Sequence, residues 1–235
     1  MRKVILLLLI ILPGYVLSAR ENKDVWWITG LNGGVYSYIR EDIPETEIDE
    51  TLPGGNISLG LKTQRFAFKP DKLVGSWGSM DFRIPFLSIV EGEVKQVEAL
   101  EGSIQVMGNI NIGVGLRSPG NKALSFYGGL GLHTYLSYLH AYTLLSTPLL
   151  DDPVKTEIEQ FDTAFGLGAE IGMKLNTKGR LFFVAGSGLA WDFLSWQDSR
   201  VHVEFDPPVN QKTRGLVKDY MALEITPHIS LGLEY

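Results

Sequence analysis

The residue types most suited to catalysis are a histidine and a serine two positions apart, His228 and Ser230. A histidine that hydrogen-bonds a serine hydroxyl can activate it as a nucleophile when an acidic group orients the imidazole. Residues two apart on a strand share a face, so these side chains are predicted to be neighbours. Spacing assigns no acidic partner to them, and we interpret them as a packing and hydrogen-bonding pair.

Other reactive residue types lack the spacing that chemistry needs. His133, His140 and His202 lie far apart along the chain, without metal-ligand spacing. The chain has no cysteine, which excludes disulfides, zinc–thiolate sites and thiol catalysis. Glycine pairs at 166–172 and 186–192 lie inside predicted strands that no helix follows, so they do not predict a phosphate site. We therefore predict no enzyme activity, no cofactor and no metal.

A set of charged residues shares the small and polar face of alternating segments: Asp81, Arg83, Asp162, Glu170, Lys174, Asp192 and Glu224. If these segments enclose a narrow interior, the charges must pair, because burying a single charge is expensive. We interpret them as an ionic plug in the lumen. A lining that selects solutes is the alternative.

The elements that must position these residues are strands, because apolar residues recur at every second position. In the final segment, Met221, Leu223, Ile225, Ile229 and Leu231 share one face. Ala222, Glu224, Thr226 and His228 hold the other. The same period of two predicts strands at 25–39, 56–68, 78–90, 103–117, 123–139, 161–175, 180–193 and 221–235.

The second of these strands breaks the pattern. It begins with Ile57, Leu59 and Leu61 on one face and ends with Phe66 and Phe68 on the other. This switch predicts a β-bulge within the strand or a misplaced boundary.

The connections alternate strictly between short and long. Short turns occupy 69–72, 118–121 and 176–179, and long polar loops occupy 41–55, 91–102, 141–158 and 196–216. Together they predict an all-β fold, an eight-stranded antiparallel transmembrane up-and-down β-barrel with short periplasmic turns and long external loops. A soluble lipocalin-like barrel is the rival. The polar faces favour the membrane, because they carry Gly, Ser, Asn and Ala rather than Lys, Glu and Thr.

The N-terminus predicts export. Arg2 and Lys3 precede the apolar run Val4–Leu12, and Pro13-Gly14 ends that run before it could span a membrane. We predict a signal peptide at 1–19 and a barrel at 20–235, localised to the bacterial outer membrane. The formal net charge of −6, without basic stripes, argues against nucleic acid as a partner.

The first predicted external loop is acidic and has no Lys or Arg; it contains Glu41, Asp42, Glu45, Glu47, Asp49 and Glu50. Solvated charge is the default interpretation. Binding of divalent cations or of a host ligand is the alternative.

The final residues resemble an assembly signal. Tyr235 follows Leu233, Leu231 and Ile229 at alternate positions, which resembles the C-terminal signature that the bacterial barrel assembly machinery recognises. Those signatures usually end in Phe, whereas this chain ends in Tyr. The resemblance implies that the assembly machinery and outer-membrane lipids are partners.

Within small outer-membrane barrels, the chain resembles the OmpW/OprG family. The resemblance is carried by Pro227 followed by Ile229, Leu231, Gly232 and a terminal aromatic, together with Pro85 inside the third strand. It implies a narrow hydrophobic channel that releases small apolar solutes sideways into the membrane. Surface display of loops on a sealed barrel, for adhesion to a host ligand or a structural role, is the alternative function.

Pro85 is the candidate lateral gate. A proline inside a strand cannot donate to the hydrogen-bond ladder, so we expect a gap in the pairing of the third strand. The alternative interpretation, which the sequence leaves equally open, is a simple bulge at the rim of the barrel.

Overall fold

The structure is a computed structural model that describes residues 24–40, 52–90, 93–96, 104–119, 123–145, 154–177, 179–204, 208–217 and 220–235. The regular elements in these ranges are all strands: β1 (Asp24–Arg40), β2 (Leu52–Phe68), β3 (Val74–Val90), β4 (Glu93–Gln96), β5 (Ile104–Arg117), β6 (Leu124–Leu145), β7 (Val154–Asn176), β8 (Leu181–Val203), β9 (Val209–Val217) and β10 (Met221–Glu234). The predicted signal peptide lies outside the described residues. The same part of the chain contains no helix long and apolar enough to cross a membrane.

Eight of the described strands form a closed antiparallel ring in the order β1-β2-β3-β5-β6-β7-β8-β10, and β10 pairs with β1. This confirms the predicted up-and-down barrel. Beyond the last β10 residue, Tyr235 exchanges two backbone hydrogen bonds with Val25, at 3.0 and 2.9 Å. Closure gives every ring strand two neighbours, so the backbone groups along the paired lengths are satisfied internally.

The long polar connections differ from the prediction because much of their length is strand. β6 continues to Leu145, β7 begins at Val154 and β8 runs to Val203, where it pairs with the additional strand β9. The other additional strand, β4, pairs with the upper end of β3. Charged residues such as Glu159 and Arg200 share one face here, whereas Ile158 and Val201 share the other, so this sheet has one charged and one mostly uncharged face. We call the part of β6–β9 beyond Tyr138, Phe161 and Trp196 the external sheet.

The bulge predicted in the second strand is wrong. The β1–β2 pairing is continuous from Asp24↔Phe68 to Arg40↔Leu52. The register shift lies on β3, where Phe86 is the extra residue, and a second shift on β8 leaves out Phe193. The change of pattern in β2 is therefore real: Phe66 and Phe68 point into the barrel and are fully buried.

The distribution of apolar and polar side chains is the reverse of that in a water-soluble protein. Outward positions carry exposed apolar residues along the strands, with Ile229 75% and Leu231 53% exposed on β10. Inward positions carry buried polar residues, including Glu224, Thr226, His228 and Ser230 on the same strand. A continuous exposed apolar surface of this extent is incompatible with water, whereas lipid matches it. The chain is a transmembrane β-barrel of the outer-membrane type.

Candidate functional site

The interior of the barrel begins, at the short-turn end, with a layer of interlocked rings, which we call the aromatic layer: Trp26, Phe66, Phe68, Trp77 and Phe182. The Trp26 ring centroid lies 5.1 Å from that of Phe68 and 6.0 Å from that of Phe182. The Lys174 ammonium lies 3.9 Å above the Trp26 ring and 2.7 Å from Glu234 Oε2. This layer fills the cross-section at one end of the interior.

Above the aromatic layer, the Glu170 carboxylate on β7 gathers polar partners from two other strands, β2 and β10; we call these residues the Glu170 network. Lys62 Nζ donates to Glu170 Oε2 at 2.6 Å, and Gln64 Nε2 donates to Oε1 at 3.3 Å. His228 Nε2 lies 2.6 Å from Glu170 Oε1, and its Nδ1 lies 3.1 Å from Ser230 Oγ. All five side chains are buried, so the charges are paired away from water.

The Glu170 network supplies the acidic partner that the sequence could not assign to His228 and Ser230. Serine, imidazole and carboxylate are connected in the order of a catalytic triad. The serine hydroxyl, however, packs against β1, because a Cβ added to Gly30 would lie 2.3 Å from Ser230 Oγ. Tyr127 Oη also lies 3.5 Å from His228 Nε2. The constellation is therefore a packed hydrogen-bonded chain inside the barrel.

A second ionic group, the Arg83 network, lies above the first. Arg83 is 0% exposed; its Nε donates to Asp81 Oδ1 at 3.0 Å, and its Nη2 forms an ion pair with Glu224. Asn109 Nδ2 donates to Glu224 Oε2 at 2.9 Å and also contacts Asp81. One guanidinium thus holds two carboxylates, Asp81 from its own strand β3 and Glu224 from β10.

His133 connects the Arg83 network to Asp192. His133 Nε2 lies 3.6 Å from Asp192 Oδ2 and 3.8 Å from Glu224 Oε2, and its Nδ1 lies 2.9 Å from Asn111 Oδ1. Among the residues that the structure describes, no group of three or more His, Cys, Asp or Glu side chains could hold a metal ion.

A layer of tyrosines lies at the upper end of the interior, and we call it the tyrosine layer. The rings of Tyr36 and Tyr135 stack with centroids 4.2 Å apart and planes 8° apart. The hydroxyl of Tyr36 is hydrogen-bonded to that of Tyr220, and Met107 packs in the same cluster.

The predicted lumen charges are thus largely gathered in one place. Asp81, Arg83, Glu170, Asp192 and Glu224 are buried between the two ring layers, while Lys174 is buried against the aromatic layer. Asp162 is only half-buried and accepts a hydrogen bond from Gln160 at 2.6 Å. Lys62, Gln64 and His133 also belong to these networks, although they are not among the predicted lumen charges. Lys62 alternates with Leu59 and Leu61, which indicates that it faces inward. The change of pattern later in the same strand left that facing open in the sequence.

Pro85 lies beside two irregularities. It pairs with Ser58 immediately before the β3 bulge, and the β3–β5 pairing ends at Arg83↔Met107. β5 continues to Ile104 in pairing with β6, whereas β3 pairs with β4 from Leu87 onward. Within the described residues, Ile84–Phe86 therefore has no partner on the β5 side. A gap and a bulge are both present, and solute passage there stays a prediction.

The remaining predicted site residues lie either on the outer wall of the barrel or outside the described residues. Ile229, Leu231 and Leu233 project outward from β10. Tyr235 is exposed and bonded to Val25. The acidic residues of the first external loop, at 41–50, lie outside the described residues. Recognition by the assembly machinery stays a prediction.

No protein-family profile and no curated protein matches the chain. Among solved structures, Neisserial surface protein A aligns at 9% identity over 89% of this chain and 97% of its own, with a TM-score of 0.41. The attachment invasion locus protein Ail of Yersinia pestis aligns at 12% identity over 90% and 99%, with a TM-score of 0.41. A major outer membrane protein from Thermus thermophilus aligns at 9% identity over 87% and 99%, with a TM-score of 0.46. Similarity at this level assigns no function to the chain.

Proposed function

We propose that this protein is a sealed outer-membrane barrel whose function is to present the external sheet at the cell surface. The single observation that carries the proposal is the filled interior. The aromatic layer, the Glu170 and Arg83 networks and the tyrosine layer succeed one another along the barrel axis.

Passage of a solute would require these layers to separate. An eight-stranded barrel has an interior that side chains just fill. Separating one buried ion pair costs about 3–5 kcal/mol, because each charge is left uncompensated. Lys62–Glu170 and Arg83–Glu224 would both have to open. This cost favours a sealed barrel over an open channel.

The external sheet has the character of a surface for interactions in water. Its outward side carries charged residues on paired strands, namely Lys155, Glu157, Glu159, Arg200, Lys212 and Arg214. Several of them form loose cross-strand ion pairs, such as Arg200–Glu159 and Arg214–Asp198, each at 3.7 Å. The charged outward side of this ordered sheet presents a fixed charge pattern to a partner. Such a pattern supports recognition of a host ligand or a neighbouring surface protein.

Sealing is tested by reconstituting the purified barrel in planar bilayers and liposomes. We expect no stepwise conductance and no uptake of small polar or small apolar solutes above protein-free liposomes. The control is the double variant Trp26→Ala/Phe182→Ala, which removes two interlocking rings from the aromatic layer and should raise conductance. Stepwise conductance of the unmodified barrel, or uptake of either solute above protein-free liposomes, would overturn the proposal.

Display is tested by proteolysis of intact cells. Trypsin should cleave at Lys212 or Arg214, both exposed on β9, while the ring stays folded. Cells in which 199–213 is replaced by a four-residue turn should keep the barrel and lose attachment to a host-cell monolayer. Unchanged attachment would contradict the display function.

Lateral release of apolar solutes is the second candidate, and it is favoured by the stretch Ile84–Phe86, which has no partner on the β5 side within the described residues. In Pro85→Ala, a backbone N–H becomes available for the ladder, which should narrow any opening beside β5. Under this candidate, uptake of small apolar solutes by liposomes occurs with the unmodified chain and falls in Pro85→Ala. No uptake with either protein leaves the sealed barrel as the function.

A further inference from the structure

The outer wall of the barrel carries an apolar groove of about 510 Å³ that crosses the seam between β3 and β5. Gly108 lies at its centre and pairs with Phe82 on one side and Leu136 on the other. Because glycine has no side chain, the wall is recessed between these two residues. The volume falls within the roughly 300–1,000 Å³ that pockets for small ligands occupy.

The groove leads into a polar depression of about 180 Å³. Tyr138 and Phe161 line both spaces, and Glu159, Asp198 and Arg200 complete the depression. An apolar groove that ends in a charged depression matches an amphiphile in shape and polarity.

The junction lies at the boundary of the lipid-facing band. On β7, the outward residues are apolar from Leu175 up to Phe161, apart from Thr163, and the next outward residue is Glu159. Trp196 on β8 and Tyr138 on β6 lie at the same level. Aromatic residues followed by charge mark the headgroup level of outer-membrane barrels.

Two arginines at this level have unused donors. Arg200 Nη1 lies 3.7 Å from Glu159 Oε2, and Arg214 Nε lies 3.7 Å from Asp198 Oδ2. Both arginine side chains are 61% exposed. Each guanidinium therefore keeps N–H groups that can bind a phosphate in a bidentate manner. The carboxylates of Glu159 and Asp198 can accept hydrogen bonds from sugar hydroxyls.

We propose that the groove and the depression together bind one molecule of phosphorylated glycolipid from the outer leaflet, that is, lipopolysaccharide. One acyl chain lies over Gly108, and a headgroup phosphate contacts Arg200 with support from Arg214. The depression lies at the end of the long connections, which is the extracellular end of such barrels. In bacterial outer membranes, the phosphorylated lipid of that leaflet is lipopolysaccharide, so we commit to it rather than to a phospholipid. This inference does not depend on whether the barrel is sealed.

The test uses the full folded barrel in detergent micelles, with native mass spectrometry to measure binding. The probes are diphosphoryl lipid A, dephosphorylated lipid A and phosphatidylglycerol. We expect Arg200→Ala to weaken diphosphoryl lipid A binding by about tenfold, since it removes a charge-assisted contact, and to leave dephosphorylated lipid A unchanged. The matched control Arg180→Ala removes an exposed cation at the opposite end of the barrel and should change neither.

Filling the groove tests the acyl-chain half of the site. Gly108→Leu should weaken binding of both forms of lipid A, whereas Ala169→Leu, on the outward face of β7 away from the groove, should not. A Cβ at Gly108 would lie 2.8 Å from the Asp81 carbonyl oxygen, so Thr63→Phe, which fills the groove from β2, is the second variant. Folding of each variant is checked by its heat-dependent gel migration.

Two results would overturn the proposal. One is equal binding of all three probes by the unmodified barrel, which is the behaviour of bulk lipid around any barrel. The other is an equal loss of diphosphoryl lipid A binding in Arg200→Ala and Arg180→Ala, which would indicate charge attraction without a site.

Discussion

Lys62 and Glu170 illustrate how single residues stabilise this barrel. Their side chains are 2% and 1% exposed, and the ammonium lies 2.6 Å from the carboxylate. At such burial, an ion pair is worth little over an apolar pair, but an unpartnered member is strongly destabilising. Glu170 also contacts His228, which remains a hydrogen-bond partner when Lys62 is lost. The interior charges therefore depend on one another.

We predict that Lys62→Met lowers the free energy of unfolding by about 3–5 kcal/mol, because Glu170 loses its cation inside the barrel. Urea titration in detergent or lipid vesicles measures this value. Lys155→Met is the matched control. Lys155 Nζ lies 3.9 Å from Glu204 Oε1, and the two side chains are 51% and 58% exposed, so this substitution should cost less than about 1 kcal/mol. Equal costs for the two variants would show that the Glu170 network is hydrated.

At the scale of the element, β10 shows how a strand divides lipid from interior. Its apolar residues project outward, and its polar residues contact the Glu170 and Arg83 networks. A shift of register by one residue would exchange the two sets, which places charge in lipid and leaves the networks without Glu224 and His228. The register of β10 is therefore strongly determined.

We predict that Leu231→Arg destabilises the barrel by about 2–4 kcal/mol, because the guanidinium enters the lipid-facing band near its centre. Met221→Arg, on the same face at the end of β10, should cost only about 0–1 kcal/mol. Unfolding titrations in vesicles measure both. If the two substitutions cost the same, the depth that we assign to β10 is wrong.

At the scale of the whole molecule, closure of the ring makes the fold cooperative. β10 pairs with β1 on one side and β8 on the other, and Tyr235 extends the seam through Val25. Every ring strand has two partners, so no strand can detach without opening the barrel. Such barrels stay folded in detergent until heated.

We predict that unboiled and boiled samples of the purified barrel migrate differently on a detergent gel. Deletion of Tyr235 removes two backbone hydrogen bonds at the seam and the predicted assembly signal, so the folded fraction in cells should fall. Refolding of the same variant in vitro separates the two causes. Normal refolding with poor assembly in cells points to the signal, whereas poor refolding in both points to the seam.

The amino-acid sequence by itself determined the eight ring strands, the facing of most side chains and the order of short and long connections. The reason is local. Consecutive side chains on a strand point to opposite sides, so a strand between lipid and the barrel interior alternates apolar and polar residues with a period of two. Leu231 and Ser230 could therefore be assigned to opposite faces from the sequence alone.

Only the tertiary structure decided which inward residues meet. Lys62 and Glu170 are 108 residues apart, and Glu170 and His228 are 58 residues apart, so no local pattern connects them. Their contact depends on the stagger with which the ring closes, which sets the height of each strand relative to the others. The bulge at Phe86 and the external sheet are also tertiary outcomes. Each depends on which strand lies alongside, and that choice is made by the closed ring.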